Sequence, residues 1–281
     1  MSAGFDSRLT PARSDIAAAH LKGKVTAEKF VGGRFAQLAR GVAGLYAAPA
    51  EDAGLQTQLL FGEGFTIYEE KNGWAWGQSM LDDYVGYARS HVFAAPAQAT
   101  HRVTALSTPL LYAPDVKKGA REMLPMNAKV TVVEDGERFV RLAGGGFVFA
   151  RHLALIDARQ SDWVGVAERF AGVPYVWGGK TAAGIDCSGL VQTALEAGGI
   201  KSPRDTDMME AALGKAIALD ASLKRGDLIF WKGHVGVMLD ANRLIHANGF
   251  FMQVSVEPLP LVRSRTLDKE ATPVRTIKRL A

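Results

Sequence analysis

The sequence predicts an α+β fold: a C-terminal domain with a helix packed on an antiparallel sheet, preceded by two small antiparallel β-barrels. Three observations carry this. Short apolar runs punctuated by Asn-Gly and Asp-Gly turns extend from about residue 37 to residue 157. One clear helical stretch, residues 190–197, follows a glycine-rich segment and ends at Gly198-Gly199. Three β-branched or aromatic runs joined by tight turns then follow between Leu228 and Gly249.

Taken in order, residues 1–36 read as a polar lead-in with one helix around 12–22. Residues 37–92 read as a first barrel. Its long strand at 59–70 turns at Asn72-Gly73 and returns through Trp74-Ala75-Trp76. Residues 93–157 repeat the order as a second barrel: a strand at 123–134, the turn Asp135-Gly136, a return at 139–142 and a closing run at 147–150. The Pro/Ala stretch at 94–99 separates the two. Residues 160–281 form the third domain. Ser161 and Asp162 are both good N-caps for a helix at 163–170 that opens it.

The chain has 281 residues, 48% of them hydrophobic and 22% charged, with a net charge of +4. This is a globular composition. No apolar run approaches the roughly 20 residues that cross a bilayer, so no membrane role is expected. Lys and Arg are dispersed apart from the tail Arg275, Lys278 and Arg279, so no nucleic-acid partner is expected. The N-terminus begins polar without a secretory pattern, which points to the cytoplasm unless a leader has been removed. One cysteine forms no internal disulfide and suits a reducing compartment.

That cysteine, Cys187, lies in Gly184-Ile185-Asp186-Cys187-Ser188-Gly189, directly before the helical run. A lone cysteine is usually a small buried hydrophobe. Here the neighbours are polar and glycine. A thiol at a helix start also meets the positive end of the dipole and free N–H groups, which favour the thiolate. His234 and His246 fall on adjacent predicted strands, within reach of each other if the register allows. Nucleophile, base and orienter are the parts of a cysteine hydrolase. This chemistry needs no metal or organic cofactor.

The order of Tyr175-Val176-Trp177-Gly178-Gly179, Asp186-Cys187-Ser188-Gly189, Gly226-Asp227-Leu228, His234-Val235-Gly236 and Ile245-His246-Ala247 resembles the NlpC-type cell-wall peptidases, a papain-like superfamily. The resemblance covers about residues 160–281. It implies Cys187 as nucleophile, His234 as general base, His246 as the third polar member, and Tyr175 beside the thiol as an oxyanion donor. The upstream rhythm resembles, less specifically, a pair of bacterial SH3-type domains.

The family resemblance implies further expectations. In cytoplasmic members with this layout the first barrel caps the cleft, so that only short peptides with a free amino end fit. The substrate would be a murein tripeptide or tetrapeptide, cut between γ-D-glutamate and a diamino acid in cell-wall recycling. Asp205 would bind the ammonium of the terminal L-alanine; its bland alternative is a cap for the following helix. Tyr84 would share that ammonium, together with Glu51 or Asp52. Trp177 and Ser188 would line the same pocket. The alternatives are an exported wall hydrolase targeted by its barrels, a non-catalytic murein-binding protein, and an acyl transferase or lipid amidase. Oligomeric state and the preferred diamino acid stay open.

Overall fold

The structure is a computed structural model and describes residues 5–270 and 273–280. The chain divides into two units, Met1–Ala158 and Arg159–Ala281. Among the described residues no helix is long and apolar enough to cross a membrane.

In the first unit, a seven-stranded sheet has the order Leu55–Leu60, Val42–Tyr46, Val85–Arg89, Trp74–Ser79, Gly64–Lys71, Arg34–Leu38 and Phe93–Ala94. It therefore extends past the expected 37–92 at both ends. Lys71 pairs with Trp74 across the two-residue turn Asn72-Gly73. Both turn residues have positive φ, 51° and 78°, the geometry that makes Asn-Gly a hairpin signal. The expected single strand at 59–70 is two strands. Gly62 breaks it with φ +76°, and a Cβ there would lie 2.0 Å from the Lys129 carbonyl oxygen.

The expected helix at 12–22 is absent. Ile16–Ala18 is a strand in parallel pairing with Lys29–Val31, and a 3-10 turn follows at Ala19–Leu21. Ile16, Ala17 and Ala18 are all buried, and burial of three consecutive side chains does not suit a one-faced surface helix. Arg13 pins this segment to the sheet. Its guanidinium donates to Asp15, Glu69 and the Tyr87 hydroxyl and lies 4.5 Å over the Trp76 ring.

Residues 101–155 form a five-stranded and a three-stranded sheet around a separate apolar cluster that includes Val103, Leu124, Val140 and Val148. Asp135-Gly136 does not make the expected turn. A bulge interrupts the pairing of Val132–Glu134 with Phe139–Leu142, and Glu134 faces Arg141. The predicted strand at 123–134 is also divided, at Asn127, whose φ is +67°.

The second unit packs helices on a six-stranded antiparallel sheet. Its order is Lys215–Ile217, Thr276–Arg279, Leu228–Trp231, His234–Met238, Arg243–Asn248 and Gln253–Pro258. The helices are α1 (Trp163–Glu168), α2 (Cys187–Ala197), α3 (Thr206–Ala212) and α4 (Leu259–Glu270). Asp162 caps α1, accepting from Gly165 N–H at 3.0 Å. Helix α2 is central: Cys187 through Leu195 are all buried, and it packs on α1 and on the His234–Met238 and Arg243–Asn248 strands.

Candidate active site

Cys187 is the first residue of α2, and three glycines set its position. Asp186 is the N-cap; its Oδ1 accepts from Gly189 N–H at 2.6 Å and its Oδ2 from Gly178 N–H at 2.8 Å. Gly178 turns the chain with φ +75°. A Cβ on Gly189 would lie 2.2 Å from the Gly179 carbonyl oxygen, so the helix start and the preceding loop touch main chain to main chain. Arg204 closes the arrangement from below. It is 1% exposed and donates to both Asp186 oxygens, at 3.0 and 2.7 Å, and to the Ser188 hydroxyl at 2.7 Å.

Cys187 is 6% exposed, but the surroundings of its sulfur are polar. Val235 gives it a backbone hydrogen bond and Thr206, at the start of α3, a side-chain one. Val235 follows His234, so the strand carrying that histidine lies against the head of α2. Burial first, and then the Asp186 carboxylate, push the Cys187 pKa up to about 11, against those hydrogen bonds and the Arg204 charge. Burial and the Asp186 carboxylate thus work against the thiolate that the helix dipole favours. The N-cap that completes the helix start is itself an anion and offsets the dipole.

His234 opens its strand and packs on Trp231, with ring centroids 5.5 Å apart. Its Nε2 shares a 2.7 Å hydrogen bond with His246 Nδ1. The register pairs Val237 with Ile245, which makes the two histidines diagonal neighbours on one face of the sheet. Burial, and then the nearby His246 and Arg265, push the His234 pKa down to about 3, Glu257 opposing. The imidazole is neutral at neutral pH. His246 is 2% exposed, and its Nε2 lies 2.8 Å from Glu257 Oε1. Arg265 on α4 donates to both Glu257 oxygens, at 2.7 and 2.9 Å.

Tyr175 is half-buried near the sulfur. Burial, then the neighbouring Cys187 and Asp186, raise its pKa above the ordinary value, so it keeps its proton and remains a donor. Trp177 is 67% exposed, whereas Ser188 is buried and held between Arg204 and Asp186. Asp205 stands at the N-cap position of α3 but makes no side-chain capping bond, so the bland reading of it lacks its hydrogen bond. Tyr84 departs from expectation. It is 2% exposed within the apolar cluster of the first sheet, its hydroxyl 3.5 Å from Gln56 Oε1, and offers no surface to a substrate amine there.

Sequence reasoning missed Glu257 and Arg265. The signal for Glu257 is faint: in Val254-Ser255-Val256-Glu257 the polar residues alternate with valines, and Ser255 pairs with His246. Arg265 gave none, because α4 carries no clear apolar periodicity.

A cysteine at the head of a buried helix, with hydrogen-bonded imidazoles on the strands beside it, is the layout of a cysteine peptidase, and comparison with known proteins agrees. The model of the NlpC/P60 family matches residues 172–268, and that of the bacterial dipeptidyl-peptidase Sh3 domain matches residues 45–91. A γ-D-glutamyl-L-lysine dipeptidyl-peptidase of Bacillus subtilis is 31% identical over 222 residues, 69% of this chain and 72% of the relative. Dipeptidyl-peptidase 6 of Lysinibacillus sphaericus is 28% identical over 245 residues, 78% of this chain and 89% of the relative. The crystal structure of a NlpC/P60 family protein from Bacillus cereus superposes with a TM-score of 0.74 at 20% identity, over 88% of this chain and 99% of that one. The chain belongs to the NlpC/P60 family. It is a cysteine peptidase preceded by an SH3-like domain.

Proposed function

We propose that this peptidase hydrolyses the bond between γ-D-glutamate and a diamino acid in short murein peptides that keep a free amino-terminal L-alanine. In this reading it serves cell-wall recycling in the cytoplasm. Residues 101–155, with their own apolar cluster, are read as a second SH3-like barrel. The observation that carries the chemistry is the 2.7 Å His234–His246 hydrogen bond on a strand whose next residue, Val235, bonds the Cys187 sulfur. The names of the γ-D-glutamyl-L-lysine dipeptidyl-peptidases among the relatives support the substrate. Asp205, at the start of α3, is read as the partner of the substrate ammonium, and the exposed Trp177 as an edge of its pocket.

With both partners neutral at rest, His234 acts as a true base. It takes the thiol proton while the sulfur attacks the γ-carbonyl carbon of D-glutamate. The oxyanion is received by the Cys187 N–H, which has no partner within its helix, and by the Tyr175 hydroxyl. The tetrahedral intermediate collapses as the C–N bond breaks and His234 gives its proton to the leaving amine. Water, deprotonated by His234, then cleaves the thioester and returns the thiol.

The test is incubation with L-Ala-γ-D-Glu-L-Lys and its meso-diaminopimelate counterpart, each with a free or an acetylated amino end. Only the free forms should be cut. Cys187→Ala and His234→Ala should each lose activity on the order of 10⁴-fold or more, and His246→Ala less. Equal cleavage of the acetylated peptides would remove the free-amine reading. An active Cys187→Ala enzyme would remove the mechanism.

A further inference from the structure

Behind His246 lies a buried acid that the peptidase mechanism does not use. Glu257 pairs with Leu244, two residues from His246 on the neighbouring strand, and is 7% exposed. Its Oε1 accepts from Ser255 Oγ at 3.3 Å and lies 2.8 Å from His246 Nε2, and Arg265 holds both its oxygens. Arg265 is placed in turn from the other side, its guanidinium carbon 4.3 Å from the Phe250 ring centroid. The charged groups that face the pair of imidazoles are therefore Glu257 and Arg265, each from a different element.

We propose that Glu257, clamped by Arg265, is a positioning residue that dictates where the protons sit on both imidazoles and so keeps His234 able to act as a base. The inference rests on the assignment of His234 as the base. An ionised carboxylate only accepts, so the His246 nitrogen facing it, Nε2, carries a proton. A neutral His246 then has a bare Nδ1, which only accepts. The hydrogen bond at 2.7 Å is therefore donated by His234 Nε2–H. A neutral His234 with its proton on Nε2 has a bare Nδ1, the nitrogen left to take the thiol proton. The reverse order is unproductive: with its proton on Nδ1, His246 would donate to His234 Nε2, and His234 would hold its own proton on Nδ1, where the base must be empty. Two hydrogen bonds thus separate the residue that makes the choice from the atom that uses it.

Burial works to raise the Glu257 carboxyl, but the hydrogen bonds from His246 and Arg265 outweigh it and hold the pKa at about 2, so the carboxylate is ionised throughout the working range. When His234 becomes imidazolium in the reaction, the same anion stabilises the positive charge through His246.

The experiment has two readouts on the full chain. Long-range ¹H–¹⁵N spectra of the imidazole rings report which nitrogen bears the proton, independently of activity. The expected pattern in the native enzyme is Nε2–H on both His234 and His246. Nδ1–H on either ring in the native enzyme overturns the proposal. In Glu257→Gln, kcat for the free peptide should fall about tenfold to a hundredfold with KM nearly unchanged, and a second tautomer should emerge at His246. A Gln variant with kcat within twofold and an unaltered ring pattern also overturns it. If the native enzyme cuts none of the peptides, the substrate reading fails, and the ring spectra still decide the proton positions.

Discussion

Two buried arginine–carboxylate pairs flank Cys187 and the two histidines, and they do different work. Arg204–Asp186 and Arg265–Glu257 have the same closest approach, 2.7 Å, and both are largely shut from solvent. The remaining acceptor capacity of Asp186 goes to two backbone N–H groups and the Ser188 hydroxyl. That of Glu257 goes to an imidazole and the Ser255 hydroxyl. The first pair therefore fixes main chain, the head of α2 that carries Cys187. The second fixes a proton. One chemical unit, a bidentate ion pair in a dry setting, supplies scaffold in one place and protonation state in the other.

The sharpest way to break this comparison is to remove one partner from the first pair. Arg204→Met leaves Asp186 charged, buried and short of donors. We expect a loss of about 3–5 kcal/mol, read as a lowered midpoint in urea unfolding. Glu257→Gln keeps its shape and leaves an arginine that is 12% exposed at its side chain, so its loss should be clearly smaller and its defect kinetic. Equal destabilisation by the two would mean that both pairs are scaffold.

The first pair also leaves a mark on the thiol of Cys187. Because burial and Asp186 hold the thiol near a pKa of 11, its alkylation by iodoacetamide should climb about tenfold per pH unit from pH 7 to 10. A rate already level at pH 7 would show a resting thiolate–imidazolium pair and reverse the order of proton transfer and attack given above.

Much of this was legible in the sequence because it depended on local rules. The helix beginning at Cys187, the strands carrying both histidines and the Asn72-Gly73 hairpin each have a short-range cause: an N-cap, a period of two, and residues that tolerate positive φ. What escaped was set by distant partners. Residues 12–22 are not a helix because Ile16–Ala18 is enclosed on every side and paired with Lys29–Val31. Tyr84, polar at its tip, is drawn into a core. Glu257 and Arg265 are ordinary charged residues until the Gln253–Pro258 strand and α4 bring them to His246.

The second pair should also report itself through acid. The Glu257 pKa lies at about 2 in the folded protein, below the 4.5 of a free glutamate. A depressed carboxyl contributes stability that is present above the unfolded pKa and is lost as pH falls through the folded one. The stability margin of the native enzyme over Glu257→Gln should therefore be full at pH 6 and shrink between about pH 4.5 and 2. His234, with its pKa lowered to about 3, adds acid sensitivity of its own to both proteins from pH 6.5 downward. A margin that does not change with pH would show that Glu257 is not held as an anion by its neighbours.

The smallest effect belongs to a pair with the same chemistry and no burial. Arg225 donates to Asp162 at 2.8 Å and to Glu168, but its side chain is 38% exposed and its partners 61% and 41%. Water competes for every charge there, and holding three side chains in one geometry costs entropy. Arg225→Ala should change stability by less than about 1 kcal/mol, and less again at 0.5 M salt, while Asp162 still caps α1 through Gly165. If this variant proved as damaging as Arg204→Met, dryness would not be what separates the arginine–carboxylate pairs of this protein, and the roles assigned to the two buried ones would lose their physical basis.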